Sequence, residues 1–194
     1  MSMQYAVGVD EVGRGPLAGP VVVCSVQWLT DEDPFSVLAG IRDSKKLSAK
    51  QRNEWVDRAN GLQDSLRFCV HSVDAEVIDT VGIIRALGRA SGGALAELDA
   101  QDSLAHVYAD YGLLVPAQYS ATHIVKGDER HPLIALASII AKENRDAVMV
   151  TLAETFRVYG FSHNKGYGTQ EHRDALLQYG PCSVHRKTFL KNIV

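Results

Sequence analysis

The sequence predicts an α/β fold, a sheet of mixed strand direction covered by helices. Three observations predict it. Strand-like runs occur early: alternation at Tyr5–Val9 and Leu66–Val73, and a β-branched run at Val21–Trp28. Short apolar runs at Ala105–Ala109 and Thr122–Val125 then alternate with stretches of helical spacing. The last stretches, from Pro132 onward, are helical in pattern. A sheet whose early strands adjoin and whose later strands alternate with helices buries both faces and mixes antiparallel with parallel neighbours.

Each element follows from local chemistry. Tyr5, Val7 and Val9 lie on one face of the first strand, with Ala6, Gly8 and Asp10 on the other. The glycine-dense turn Val12-Gly13-Arg14-Gly15-Pro16 leads to the β-branched run Val21–Trp28, expected to pair antiparallel with the first strand. Thr30–Pro34 reads as a polar loop. Ser48-Ala49-Lys50-Gln51 has capping-box form and opens a helix to about Asn60. Ala75–Leu98 has helical spacing but contains Gly82, Gly88, Gly92 and Gly93, each costing up to ~1 kcal/mol relative to Ala. Two helices, or one packed unusually closely, are both open there. Pro132 suits a helix's first turn, and Ile134, Ala137, Ser138 and Ala141 form a small-residue face in a helix extending to about Val158. Gly160–Gly168 reads as a loop, and Thr169–Tyr179 as a helix stopped by Gly180-Pro181. Residues 1–158 are expected to form the core and 159–194 a C-terminal helical extension packed on it as one compact unit.

Composition sets limits. The chain has 194 residues, 46% of them apolar and 22% charged, enough to build one domain with a real core. Its net charge of −3 is unusual for a nucleic-acid binder, unless carboxylates are gathered at a cation site. Cys24, Cys69 and Cys182 are odd in number and far apart, which fits reduced thiols in a cytoplasm better than a disulfide framework or zinc site. Neither a signal peptide nor a run long enough to cross a bilayer is apparent, so a soluble cytoplasmic protein is expected.

The candidate chemistry is carboxylate chemistry. Asp10 and Glu11 end the first strand, and strand alternation points them to opposite faces. Glu11 would need the bend at Gly13 to reach the site of Asp10. Asp110 directly follows another apolar strand, and Asp128 follows a third through Lys126-Gly127. Widely separated strand-end acids are what a sheet can gather at one edge. Oxygen ligands without a Cys or His cluster suit Mg²⁺ or Mn²⁺ rather than zinc. An isolated Asp-Glu pair reads better as a solvated strand end, and because strand-end acids are common the constellation alone is only moderately specific. Gly13-Arg14-Gly15 permits close backbone approach to an anion, and is otherwise simply a tight turn. Asp146 rivals Asp128 as a fourth acid, although mid-helix beside Arg145 a surface ion pair suits it better. Lys45, Lys46, Lys126, Lys142, Lys165, Arg186 and Lys187 include candidates for phosphate contacts. His163, His172 and His185 share no metal-ligand spacing, so capping or surface roles are expected. Trp28 and Trp55 are expected in the core.

At this point the residues match a known family. The run from Gly8 to Val21, GVDEVGRGPLAGPV, resembles the N-terminal signature of ribonuclease HII. Asp43-Ser44-Lys45-Lys46-Leu47, Lys126-Gly127-Asp128, Ala137–Lys142 with Arg145-Asp146, Gly166-Tyr167-Gly168-Thr169 and His185–Phe189 resemble its later blocks, in order and over nearly the whole chain. Alone most of these blocks are weak; together they are specific. One departure is Asp110-Tyr111-Gly112, where the family usually has Asp followed directly by Gly.

The resemblance implies a ribonuclease H-like fold and a metal-dependent endoribonuclease. By it, Asp10, Glu11, Asp110 and Asp128 are the catalytic metal-binding acids. Gly13, Arg14 and Gly15 sense the ribose 2′-hydroxyl, and Tyr167 stacks on the sugar beyond the ribonucleotide; beside such a strand, Lys45, Lys46 and Arg186 are expected to contact its phosphates. The implied substrates are RNA/DNA hybrids and duplex DNA with embedded ribonucleotides, cut to 5′-phosphate and 3′-hydroxyl ends. A monomer is expected, with a sliding clamp as a candidate partner. A non-catalytic hybrid-binding module and a phosphohydrolase of small phosphate esters are the alternatives.

Overall fold

In the computed structural model, which describes residues 5–99, 104–191 and 193, five strands form one sheet. They are β1 (Tyr5–Val12), β2 (Val21–Trp28), β3 (Leu66–Val73), β4 (Leu104–Asp110) and β5 (Ala121–Ile124), in the order β3-β2-β1-β4-β5. β1 pairs antiparallel with β2, and β2 with β3; β1 pairs parallel with β4, and β4 with β5. The mixed sheet expected from the order of periodicities is therefore present.

The helices are α1 (Pro34–Val37), α2 (Ala49–Gly61), α3 (Ala75–Val81), α4 (Ile83–Asp99), α5 (Gly127–Arg130), α6 (Pro132–Thr155), α7 (Phe161–Asn164) and α8 (Gln170–Tyr179). α2 starts with the expected capping box, Ser48 and Gln51 satisfying each other's backbone N–H groups, a device worth about 1 kcal/mol. The 75–98 stretch is two helices, α3 and α4, with Gly82 between them. The glycines of α4 have a packing reason: Gly88 and Gly92 lie against Leu114 and Pro116, and Gly93 against the His71 ring on β3.

Three differences from the sequence reading are short helical turns. Asp33 accepts from the Phe35 N–H and starts α1 where the polar loop ends. α6 stops at Thr155, and a 3-10 turn at Arg157–Tyr159 carries the chain to Gly160. α7 is one turn inside the expected 160–168 loop.

Two helical layers cover the sheet. Val7, Val9, Val23 and Val107 pack with Ala86, Leu87, Ala90, Leu95 and Leu98 on α4. On the other face Val22, Cys24, Val26 and Trp28 pack with Leu133, Leu136, Ala137 and Ile140 on α6. Burying one such Leu contributes roughly 1.5–3 kcal/mol. β2 is buried on both faces, as its mostly apolar run suits, with Ser25 and Gln27 the polar exceptions. A third cluster joins Leu17, Ala18 and Met149 to Tyr159, Phe161, Ala175, Leu176 and Leu190 of the C-terminal segment.

α6 approaches β1 so closely that a Cβ at Gly8 would overlap the Leu133 backbone and stand 2.6 Å from the Ile134 nitrogen. Gly8→Ala must push helix from sheet. It is expected to destabilise by about 1–3 kcal/mol, the usual cost of overpacking, measured by urea unfolding; unchanged stability would refute the close approach.

Candidate active site

The parallel register of β1 and β4 builds the centre. Val9 pairs with Ala109, so the next residues, Asp10 near the end of β1 and Asp110 at the end of β4, lie on the same face, toward α6. Adjacent strands lie ~4.8 Å apart. Ile124 on β5 pairs with Asp110, and the chain then turns through Lys126 into α5, which carries Asp128. Asp110 is close enough to act electrostatically on both Asp10 and Asp128.

Asp10 is buried. Its Oδ1 accepts from the Glu11 N–H at 2.8 Å, and the Ser138 hydroxyl on α6 also bonds to it. Burial raises its pKa well above the usual carboxylate range, the negative charges of Glu11 and Asp110 add to the rise, and the hydrogen bonds only partly oppose it. Burial likewise raises Glu11, with Asp110 adding and Arg14 opposing. Asp110 Oδ1 accepts from the Gly127 N–H at 2.7 Å, tying β4 to α5. Asp128 is raised by burial, then by Asp43 and, against the pull of Lys45, by Asp110.

Glu11 reaches the site by a route different from the expected one. It is still in the ladder, opposite Val23, so the bend at Gly13 comes too late to redirect it. Its side chain, near enough to Asp10 for each to affect the other's pKa, pairs with Arg14 at 2.5 Å. The second Glu11 oxygen is buried without a hydrogen-bond partner. Asp10 and Asp110 have no ion pair among the described residues. Buried carboxylate oxygens lacking compensation fit a hard divalent cation. Among the described residues no three His, Cys, Asp or Glu stand together as a group that could hold a metal ion.

A cleft of about 340 Å³ opens beside them, lined by Glu11, Val12, Ser44, Lys45, Ser138, Lys142 and Tyr167. Tyr167 is 43% exposed there. Lys45 lies 3.9 Å from Asp128. Although partial burial opposes it, the acids Asp43, Asp128, Asp10 and Asp110 raise its pKa. Lys46 pairs with Glu129 at 3.1 Å, directed at α5. After Asp110, Tyr111 turns to solvent while its N–H bonds to the Ile124 carbonyl at 3.1 Å.

The Gly13-Arg14-Gly15 turn is clamped from below. Gly13 has a φ of +93°, and the space a Cβ would need is filled by the Arg145 side chain. Arg145 donates to the carbonyls of Pro20, Ala18 and Lys165 at 2.9–3.1 Å. Arg186 donates to Gly13, Arg14 and Gly19 at 2.7–3.0 Å.

Several expectations need correction here. Arg186 is fully buried with its guanidinium committed to three carbonyls, so it holds the turn and presents nothing to a substrate. His172 and His185 are not surface or capping residues but a buried pair, their Nε2 atoms 2.9 Å apart. Asp146 pairs with Lys142 at 2.7 Å, while Arg145 beside it points inward. Trp28 is core as expected; Trp55 is half-buried under the Arg58 guanidinium. Sequence reading missed Asp43, Ser138 and Arg145 as parts of the site. The one signal was that all three fall inside the matched blocks.

A sheet edge of acids, flanked by a clamped glycine turn and a basic cleft, defines a hydrolase of the ribonuclease H type. A family model for ribonuclease HII matches residues 7–192, and the chain belongs to that family. It is similar to ribonuclease HII 1 of Methylibium petroleiphilum, 41% identical over 97% of this chain and 91% of the relative. Among solved structures it resembles the ribonuclease HII of Archaeoglobus fulgidus in complex with PCNA (TM-score 0.73, 29% identity, 94% of this chain and 93% of that one). It also resembles ribonuclease H2 of Pyrococcus horikoshii (TM-score 0.70, 26% identity, 97% and 100%). The protein is thus a ribonuclease H-type endonuclease, an enzyme class that acts on RNA/DNA hybrids.

Proposed function

We propose that Asp10, Glu11, Asp110 and Asp128 hold Mg²⁺ or Mn²⁺ and that the cleft beside them takes the ribonucleotide-bearing strand of a hybrid or of duplex DNA with a single embedded ribonucleotide. The observation that carries this reading is the uncompensated acid edge: Asp10 and Asp110 side by side by strand register, with a buried Glu11 oxygen lacking a partner. When bound, divalent cations would supply an ionised water and stabilise the leaving oxygen. The protein's own residues do the rest. Ser138 and the Glu11 N–H orient Asp10, and the Gly127 N–H orients Asp110. The glycine turn, fixed by two buried arginines, presents backbone to the ribose, whose 2′-hydroxyl alone distinguishes RNA from DNA at one position. Tyr167 offers an aromatic face to the neighbouring sugar, and Lys45 and Lys142 face the phosphates. Cleavage of the P–O3′ bond leaves a 5′-phosphate and a 3′-hydroxyl. The role is removal of ribonucleotides from DNA.

The C-terminal cluster on Leu17 and Met149 supports reading 159–194 as an extension docked on the 1–158 core. We read the protein as a cytoplasmic monomer. Its described cysteines are free, and no described helix is long and apolar enough to cross a membrane. The PCNA complex of the Archaeoglobus relative supports a sliding clamp as partner.

A gel assay tests the reading. A labelled duplex with one ribonucleotide should be cut with Mg²⁺ or Mn²⁺, and left whole with EDTA or by the Asp10→Asn variant. Tyr167→Ala should slow cleavage by about 5–150-fold, the worth of a stacking contact of ~1–3 kcal/mol. Cutting in EDTA would sink the metal assignment. An intact duplex with metal present would favour a binding module, and hydrolysis of a small phosphate ester alone would favour the phosphohydrolase.

A further inference from the structure

His172 on α8 and His185 in the tail are both buried. Their four ring nitrogens form a chain whose proton positions can be worked out. The Tyr167 carbonyl lies 2.9 Å from His172 Nδ1, and a carbonyl can only accept, so His172 carries its proton on Nδ1. The Cys182 backbone N–H points at His185 Nδ1 at 2.9 Å, and an amide can only donate, so His185 Nδ1 is bare. His185 therefore carries its proton on Nε2 and donates to the bare Nε2 of His172 at 2.9 Å. Every proton has one place. The relay runs Cys182 N–H to His185, His185 to His172, His172 to the Tyr167 carbonyl.

That carbonyl also accepts from the Thr169 N–H at 2.8 Å, and the Tyr167 N–H donates to Asn164 at 2.9 Å. Arg145 sits 5.8 Å below the Tyr167 ring. The Tyr167 backbone is thus fixed while its ring stays half-exposed in the cleft.

We propose that His172 and His185 are positioning residues, an electrically neutral imidazole relay that pins Tyr167 and sets the pose of its ring against the substrate strand. The proposal rests on the reading of Tyr167 as the stacking residue. A proton added to His172 would set N–H against N–H and break the chain in its middle. The surroundings keep it out: the Tyr159 ring lies 4.7 Å from His185 and the Phe161 ring edge-on 5.3 Å from His172. Titratable or charged neighbours are Glu171 on α8, Tyr159, whose hydroxyl is spent on the Gly180 carbonyl, and Cys182, its sulfur 3.1 Å from His185 Nδ1. Arg186 turns away to the glycine turn. Burial lowers the pKa of His172, and burial with the neighbouring imidazole lowers that of His185 to about 4. Between roughly pH 6.5, the unfolded value, and about 4, the unfolded chain takes up more protons than the folded one. The relay's contribution is therefore full above that window and lost as pH falls through it.

The test has two arms. In the wild-type protein at pH 7, ¹⁵N shifts of the imidazoles should report the Nδ1–H tautomer for His172 and the Nε2–H tautomer for His185; any other pair, or a cationic ring, overturns the relay whatever the variants do. In steady-state cleavage of a single-ribonucleotide duplex, His172→Gln keeps the acceptor at the Nε2 position but loses the donor to Tyr167, and should raise KM about 10-fold with kcat little changed. His172→Asn keeps a donor at the Nδ1 position and should lie closer to wild type. Combined with Tyr167→Ala, His172→Gln should add no further loss, the non-additivity of residues acting through one contact. Additive losses, or Asn no better than Gln, would overturn positioning and leave a packing role. A Tyr167→Ala variant with wild-type KM would refute the stacking role and the relay's purpose together, whereas a weak Tyr167→Ala beside a wild-type His172→Gln would refute the relay alone.

Discussion

Asp10→Asn is expected to abolish cleavage, by at least ~10³-fold if the acid edge holds the ions that supply nucleophile and charge stabilisation, and yet to make the metal-free protein more stable at pH 7. The second half follows from burial. Asp10 has a folded-state pKa raised well above its unfolded value by desolvation, Glu11 and Asp110. Between those two pKa values the folded protein binds more protons than the unfolded one, so stability falls as pH rises through that window and stays low above it. The neutral amide removes that penalty while its oxygen can still accept from Ser138 and the Glu11 N–H. A thermal scan in EDTA should show Tm raised by about 2–4 °C or more, the shift of ~1 kcal/mol in a chain of this size. Adding Mn²⁺ should raise the wild-type Tm and raise that of the variant far less, because only the wild type binds tightly enough for ligation to add stability. A variant less stable than wild type in EDTA would mean that the Asp10 charge is compensated by something other than a cation.

Arg186→Ala should give a large loss of stability, comparable with that of Arg145→Ala, since each buried guanidinium holds three carbonyls. Removing Arg186 orphans the carbonyls of Gly13, Arg14 and Gly19; at ~1–3 kcal/mol for each unsatisfied buried group, a loss of at least ~3 kcal/mol is expected in urea unfolding. Lysine should not rescue it, since a single ammonium cannot serve three carbonyls spread across a planar fork. Burial and nearby Arg145 lower the Arg186 pKa to about 9, so the group is charged at pH 7 and its charge is solvated by peptide oxygens. A direct phosphate contact would behave otherwise, with normal stability and a salt slope of log K reduced by ~1. Wild-type unfolding with that altered slope would return Arg186 to the substrate surface.

Local pattern determined much of this protein. Periodicity placed all five strands and both covering helices to within a few residues, because a face that must be buried repeats every 2 or 3.6 residues whatever surrounds it. The capping box at Ser48, the stop at Gly180 and the strand-end acids Asp10, Asp110 and Asp128 were legible for the same reason: each is a short-range signal. The short turns α1, α5 and α7 were not, since one turn of helix has no period to read. Tertiary structure alone decided what the polar groups do. Arg145, Arg186, His172 and His185 look like surface residues in the sequence because such side chains usually are exposed. Their burial depends on which backbone carbonyls and which second imidazole a distant segment brings within 3 Å, and no spacing along the chain encodes that. Glu11 is the same lesson in miniature: alternation turned it away from Asp10, and its pairing with Arg14 and its burial beside the acids appear only in the folded chain.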